Sequence, residues 1–584
     1  MATSRREFMK IAAAATGAAA ASNIDSIAPS LLLAQTDVPS RAAFPSLNQR
    51  ARGWLHFLWE KTTTPDDWSS SATPNVWWDR YSVPGVQSYP RFDLQYSSYA
   101  VLLMADQTPA WREVYTRVLD RFASRYPTYW GAIDWLTQIG DDPERTKYPD
   151  EYLSALPPEL RGKYNRVGWT ANGVQPWGLQ ADPMGADGFL FYRGWFNLVL
   201  SIYKYVSGDD KWERPFKVAG YQDREFEWDH GRIVDLLEQQ YAQRPEGPHC
   251  ENTKIWFFCN AEAALGIYLY DKLHGTQKYR RIESWLDYAR RNYMRVSPDG
   301  KLESITRYYD PIANFKLNAG PVGGIDVAFR LLPQQRELAT FLYDAGANAL
   351  GWRNPSRPAP ANSLPLILAR ELGDDAAAAR MSAAAERANE PRFFGANAEK
   401  FGWFFNLNEP YPRGQQSAMM MVSEVGTPGA WTRAFEASHL DKFRAPTVEG
   451  IEFPASGVYQ AWNDGDTGTL HVGTCAPMPD RRGRATTWRV TGLPNAAAVR
   501  VLSDGQPFTR FDVVGPGTIR LNTTIDNRYY QIFTNYRGGR VAVEREPSLL
   551  AEIESPVTPS QPNQIREAAK VLLAGGGPTC SCCT

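Results

Sequence analysis

Cysteine and histidine are scarce, with six of each in 584 residues. That is too few for a disulfide scaffold or a histidine-rich metal cluster. Charge of one sign is also missing: 63 basic and 64 acidic residues leave a formal net charge of −1. Without a basic field the chain is not expected to hold a phosphate backbone, and no nucleic-acid partner is expected. No segment supplies the run of about 20 strongly apolar residues that spans a bilayer, so no stable membrane insertion is expected. What the sequence has in quantity is aromatic rings, as 20 Trp, 28 Tyr and 26 Phe make up 13% of the chain. Aromatic faces line concave sites for sugars and apolar small molecules. At about 150 residues per domain, the length allows three to four domains.

The N-terminus reads as an address. Ser4-Arg5-Arg6-Glu7-Phe8-Met9-Lys10, followed by the small-residue run Ile11 to Ala21, matches a twin-arginine export signal, with cleavage expected after Ala34. Residues 1–34 are therefore assigned to the signal, and the mature protein to the periplasm or the secreted fraction of a bacterium.

From about Ser46 to Phe435 the apolar period is helical, punctuated by Gly and Pro. Starts fall near Leu47, Phe92, Pro109, Asp187, Arg232, Asn252, Lys278, Pro333, Asn362, Asp375 and Gln415, with stops at Gly208 and Gly275. About a dozen helices without convincing strands between them predict a mainly α fold. Paired helices closing into an (α/α)6 toroid over residues 40–445 would account for that count. After Pro446 the texture turns to short β-branched or aromatic runs: Gly450–Phe453, Val458–Trp462, Thr469–Thr474, Ala485–Val490, Val499–Leu502, Thr518–Asn522, Tyr529–Thr534 and Arg540–Glu544. Turns such as Asn463-Asp464-Gly465 and Asp504-Gly505 separate them, which predicts a small β-sandwich over 446–546. Residues 547–584 form a polar, then Ala-rich tail expected to be mobile. Its Cys580, Cys582 and Cys583 would suit a soft metal or tail disulfides, but no partner ligands accompany them.

The most informative stretch is His249-Cys250-Glu251-Asn252-Thr253-Lys254-Ile255-Trp256-Phe257-Phe258-Cys259-Asn260, running on to Tyr270-Asp271-Lys272-Leu273-His274-Gly275-Thr276. Nine residues at 100° each leave the two Cys half a turn out of phase, so they cannot share one helix face. They converge if Cys250 lies in the preceding loop and Cys259 two turns into a helix capped by Asn252 or Thr253. Thiols near that positive end become more acidic. Trp256, Cys259, Ala263 and Gly266 fall on one stripe, with small residues leaving a space beneath the thiol. The helix is apolar nearly all round, so an inner position is expected. A disulfide or two inert buried thiols would fit the same spacing. A zinc site would not, and no metal is expected.

This Cys-x8-Cys-Asn segment with Tyr-Asp-Lys-Leu-His-Gly-Thr resembles the bacterial linalool dehydratase/isomerase family. Asp182-Pro183 and the run Phe191-Tyr192-Arg193-Gly194-Trp195-Phe196-Asn197-Leu198 stand where that family has Asp-Pro and Tyr-Lys-Gly-His-Leu-Asn-Leu. Gln95-Tyr96-Ser97 and Leu368-Ala369-Arg370-Glu371-Leu372-Gly373-Asp374 are similar to two further family stretches, in the same order. The resemblance spans roughly Trp54 to Phe435 and implies an (α/α)6 barrel with cofactor-independent acid–base chemistry on an allylic terpene alcohol. Carried over by position, Cys259 and Cys250 would be the thiol acid/base pair and Tyr96 a hydroxyl contact. Glu251 matches the family's acidic neighbour of the first Cys. The family's N-terminal Asp has no clean match: Glu60 is nearest, with Asp66 and Asp67 behind it. Its active-site His falls on Trp195, which cannot transfer a proton, and this points to another substrate. Phe191, Tyr192, Trp195, Glu251 and Trp256 are expected to line the substrate site. The expected partner is a small hydrophobic alcohol, and a homo-oligomer is compatible with the sequence.

Two other classes fit parts of the chain. Asp182, Asp187 and Glu251 could supply the paired carboxylates of a carbohydrate lyase or glycoside hydrolase on the same barrel class. A non-catalytic binding protein, with the β-region recruiting a glycan, would suit the loss of the family His. His249 beside Cys250 could activate a thiol nucleophile if the two side chains face each other. The Met419-Met420-Met421 run is expected to pack in the core.

Overall fold

The computed structural model describes residues 44–63, 90–127, 169–170, 173–174, 182–219, 225–250, 254–311, 314–412 and 414–538. The export signal, Asp66, Asp67, Glu251 to Thr253, the expected strand Arg540–Glu544 and the Cys-bearing tail lie outside the described residues.

The chain is helix-rich with a C-terminal β-sheet region. Its elements run α1 (Gln49–Thr63), α2 (Pro90–Gln107), α3 (Glu113–Arg125), β1 (Trp169–Thr170), β2 (Gly173–Val174), α4 (Leu190–Ser207), β3 (Phe216–Ala219), β4 (Glu225–Trp228) and α5 (His230–Gln243). Then come β5 (Ile255–Trp256), α6 (Phe257–His274), α7 (Ile282–Asn292), β6 (Met294–Val296), β7 (Leu302–Asp310), β8 (Phe315–Ala319), α8 (Gly324–Leu331) and α9 (Arg336–Leu350). The helical part ends with α10 (Ser363–Leu372), α11 (Asp375–Ala388), β9 (Pro391–Phe394), β10 (Lys400–Trp403), α12 (Gly414–Val425) and α13 (Ala430–Glu436).

The even-numbered helices follow one another in space: α2 packs on α4, α4 on α6, α6 on α8, α8 on α10, α10 on α12, and α12 returns to α2. Odd-numbered α3, α5, α9 and α11 pack on the helices that follow or precede them in the chain. Composition explains which set lies inside. Residues Phe257 to Ile267 of α6 are all buried, as are nearly all of α4. By contrast, α7 and α11 bury only one stripe, the amphipathic pattern of a helix with one face on a core. Gly208 and Gly275 end α4 and α6 in the left-handed conformation, each returning its N–H to a carbonyl four residues back. Those stops stand where the sequence puts them. The Asp229 carboxylate caps α5 by accepting from the Arg232 N–H at 2.8 Å.

Two expectations need correction. The helices are not free of intervening strands: β3–β4 and β9–β10 are antiparallel hairpins, and β5, β6 and β8 pair with β7. All but β7 are two to five residues long, and the nine-residue β7 breaks strict alternation at Ile305-Thr306, both buried. Helix α6 also begins later than expected, at Phe257, with extended Trp256 as its cap residue and no side-chain cap bond. Pairing of Ile255 and Trp256 with Tyr309 and Tyr308 of β7 holds the preceding residues extended and so delays the helix.

After the short strand β11 (Thr447–Glu449) come β12 (Gly457–Asp464), β13 (Thr469–Cys475), β14 (Ala485–Thr491), β15 (Arg500–Ser503), β16 (Gln506–Pro507), β17 (Phe511–Gly515), β18 (Thr518–Thr524) and β19 (Arg528–Phe533). They form two antiparallel sheets, ordered β11-β14-β18-β17 and β12-β13-β19-β15-β16. The expected run Gly450–Phe453 is not a strand; pairing ends at Glu449 instead. In β18 every second residue is buried (Ile519, Leu521, Thr523), whereas β13 is buried throughout. Backbone bonds Leu47 N–H to Tyr459 O (2.7 Å) and Val448 N–H to Ala110 O (2.7 Å) stitch the sheets to the helical region.

Candidate functional site

Both central thiols are buried and neither is in a disulfide, so the disulfide reading does not hold. Cys250 lies in the loop after α5. Its N–H donates to Lys254 O (2.8 Å), and the preceding carbonyl, of His249, accepts from the Leu190 N–H at the start of α4 (3.2 Å). Asn260 holds this loop against α6: its Nδ2 donates to Pro248 O (3.2 Å) and Trp256 O (2.9 Å). At Gly247, with φ +109°, a Cβ would stand 2.5 Å from Asn260 Oδ1, so only glycine permits the approach. Cys259 is the third residue of α6, closer to the helix start than the two turns expected. Its sulfur is thus carried in the first turn, where the helix dipole favours negative charge. Both thiols act electrostatically on the Tyr241 hydroxyl, whose pKa burial lifts well above the usual range. Both thiols thus lie within electrostatic range of Tyr241.

The expected space beneath the thiols is filled. A Cβ at Gly194 of α4 would lie 2.6 Å from Ala263 Cβ, and one at Gly266 would lie 2.6 Å from Asn197 Nδ2. Ala263 and Gly266 are small because α4 crosses α6 there at backbone range. Trp256 leaves the stripe as well: it belongs to β5, and its ring lies 4.7 Å from Tyr308.

Near Cys259, side chains of three consecutive even-numbered helices meet. Trp195 of α4 has ring centroids of Phe92 at 4.3 Å, Tyr96 at 5.8 Å, Phe191 at 6.4 Å and Phe258 at 6.4 Å. Cys259 acts electrostatically on the Tyr96 hydroxyl. Tyr192, one position along α4, turns away: its hydroxyl donates to Tyr126 O at 2.8 Å and its ring stacks on Phe189. It is not part of this wall.

Residues 168–310 match the linalool dehydratase/isomerase family model. That segment carries Asp182, the α4 run with Trp195, both thiols and α6. The match confirms the resemblance for this part of the helical region and supports, at the level of the family, a lyase or isomerase. Two solved structures show only a slight likeness. A GH127 β-L-arabinofuranosidase from Geobacillus stearothermophilus T6 is 8% identical over 77% of this chain and 76% of its own, with a TM-score of 0.19. A protein described as a glycoside hydrolase is 9% identical over 80% of each chain, with a TM-score of 0.15. Likenesses that slight carry no argument.

Against the linalool dehydratase/isomerase pattern, the structure adds a charged network that no motif announced. Arg330 of α8 is buried, with Nε 2.6 Å from Glu262 Oε2 and Nη2 donating to the Tyr96 hydroxyl oxygen at 2.8 Å. Its Nη1 pairs with Asp326. Glu262 Oε1 accepts from Gln95 Nε2 (3.0 Å) and from the Tyr99 hydroxyl. Burial raises the Glu262 pKa, with Arg330 and Tyr99 working against it. Burial lifts the Tyr96 hydroxyl far above the tyrosine range despite Arg330, so it stays protonated. The available signal was a lone charge inside an apolar helix: Glu262 within Cys259–Ile267, and Arg330 within Val327–Leu332.

Other expected site residues are otherwise engaged. Glu60 accepts from His56 Nε2 (2.9 Å) and Lys400 Nζ (2.6 Å). Burial opposes its ionisation, but those two bonds pull its pKa below the usual value. His56, Glu60 and Glu399 bring ligand atoms within 4.8 Å of one another, yet the Lys400 ammonium already bridges the two carboxylates, at 2.6 and 3.1 Å. Asp182 accepts from Met184 N–H (3.0 Å) and Trp228 Nε1 (3.0 Å), the bonds of a loop brace. Asp187 is paired with Arg244 and lies 3.5 Å from His249 Nδ1. The two described carboxylates of the glycosidase reading are thus committed to structure.

Proposed function

We propose that this chain is a cofactor-independent dehydratase/isomerase of a small hydrophobic alcohol, allylic or tertiary. The observation that carries the reading is the pair of buried, unbridged thiols within the segment that matches the family, with Cys259 in electrostatic range of Tyr96. The return of α12 to α2 supports an (α/α)6 toroid with its even-numbered helices inside, and the two sheets support a β-sandwich behind it. The twin-arginine stretch supports export.

Elimination requires an acid at the leaving hydroxyl and a base at a neighbouring C–H. In our reading one thiol, Cys259 first and Cys250 second, gives its proton to the hydroxyl. The C–O bond then breaks with its electron pair on the departing water. The allylic cation faces the rings of Trp195, Phe92 and Phe258, whose π faces favour positive charge. Arg330 does not oppose it, because Glu262 and Asp326 bracket that guanidinium. The thiolate left by the first transfer takes the C–H proton and leaves an alkene; alternatively, water returns to the other end of the allyl cation and gives one of its protons back to that thiolate, which yields the isomer. Trp195 cannot play the proton-transfer part of the family His, so the wall serves to enclose and orient.

The test is headspace gas chromatography–mass spectrometry on reduced enzyme with allylic and tertiary alcohols of five to fifteen carbons. A hydrocarbon or rearranged alcohol absent with Cys259→Ala supports the reading, and silence from folded protein with free thiols refutes it.

A further inference from the structure

The Tyr96 hydroxyl has its hydrogen-bond direction fixed. Arg330 Nη2 can only donate, so the phenol oxygen accepts at 2.8 Å and its own proton must go elsewhere. Among the described residues no group takes it. Trp195 Nε1 is likewise buried with no acceptor among the described residues. Several other buried indoles share that state. Trp195 differs in lying 5.8 Å, ring to ring, from a phenol with a free proton, in a wall of Phe92, Phe191 and Phe258. An indole N–H never accepts, and the Tyr96 oxygen is already engaged. Among the described residues the Tyr96 and Trp195 side chains therefore offer two donors with no oxygen acceptor between them.

We infer that Tyr96 Oη–H and Trp195 Nε1–H form a two-donor cradle for an acceptor oxygen, and that small unsaturated ketones and aldehydes are ligands of this site. A carbonyl oxygen satisfies both donors with its two lone pairs and has no proton to place. An alcohol of the same skeleton must find an acceptor for its own proton outside the cradle. Arg330 is the positioning residue, since it dictates that Tyr96 donates. The inference rests on the reading that this wall is the substrate site, and it specifies the oxygen chemistry there.

The experiment measures binding by calorimetry for a series of apolar enones of five to fifteen carbons, each beside its hydrocarbon analogue and its alcohol. For the best enone, labelled with 13C at the carbonyl, infrared difference spectra give the C=O stretch. The expected order is enone over alcohol over hydrocarbon, with roughly three- to tenfold lost per donor in Trp195→Phe and Tyr96→Phe. In each variant the bound C=O stretch should move back toward its value in apolar solvent. Arg330→Lys, which keeps the charge, should shift the stretch as well; a purely structural Arg330 would leave it in place. Enones that bind no more tightly than hydrocarbons, or a stretch unchanged by both Trp195→Phe and Tyr96→Phe, would overturn the cradle. Alcohol turnover would stand or fall separately, because the binding and infrared readouts need no reaction.

Discussion

Gly194 of α4 meets Ala263 of α6 so closely that a Cβ added at residue 194 would stand 2.6 Å from Ala263 Cβ. This contact sets the spacing of the two helices that carry Trp195 and Cys259. Gly194→Ala is expected to force them apart at a cost of about 1–3 kcal/mol. A lowered urea midpoint would report it, and an unchanged midpoint would show that the crossing is slack.

The buried pair Glu262–Arg330 should behave asymmetrically. Glu262→Leu leaves a guanidinium in the interior with Asp326 alone and is expected to cost about 3 kcal/mol or more. Adding Arg330→Met removes the stranded charge and should recover part of that loss. A double-mutant cycle with zero coupling energy would contradict the arrangement.

Acid should weaken the loop that holds Cys250. Burial opposes ionisation of Asp187, but His249 and Arg244 outweigh it and hold the carboxyl well below its ordinary pKa. A carboxylate depressed in the fold stabilises it fully above the unfolded value of about 4 and loses that contribution as pH falls below it. Asp187→Asn should therefore cost stability on the order of 1–3 kcal/mol at pH 7 and flatten the acid limb. Parallel denaturation curves at pH 7 and pH 3.5 test both points; equal acid sensitivity in the two proteins would be contrary.

Helix existence was legible from the sequence because the apolar period of α4, α6 and α10 and the glycines at 208 and 275 are local signals. The same holds for β12 to β15, β18 and β19, where short β-branched or aromatic runs and turns such as Asn463-Asp464-Gly465 and Asp504-Gly505 suffice. What escaped were features decided by distant partners. Strand β5 exists because β7 lies beside it, and this pushed the start of α6 past Trp256. Ala263 and Gly266 looked like a void because nothing local says that α4 fills it. Tyr96, Phe191 and Trp195 came together in one wall. Tyr192 did not, since neighbours on a helix face different ways. Glu262 and Arg330 were overlooked because each is one charge in a different apolar helix, and only the fold pairs them.

The central claim is that Cys259 does acid–base chemistry on an apolar alcohol, and one comparison tests it directly. Reduced wild type and Cys259→Ala, matched for thermal transition, are incubated with the alcohol panel in sealed vials and the headspace is analysed. The account predicts an alkene or rearranged alcohol from wild type and none from the variant, with transitions within a few degrees of each other. Product formation that survives Cys259→Ala, or none from folded wild type across the panel, would contradict it.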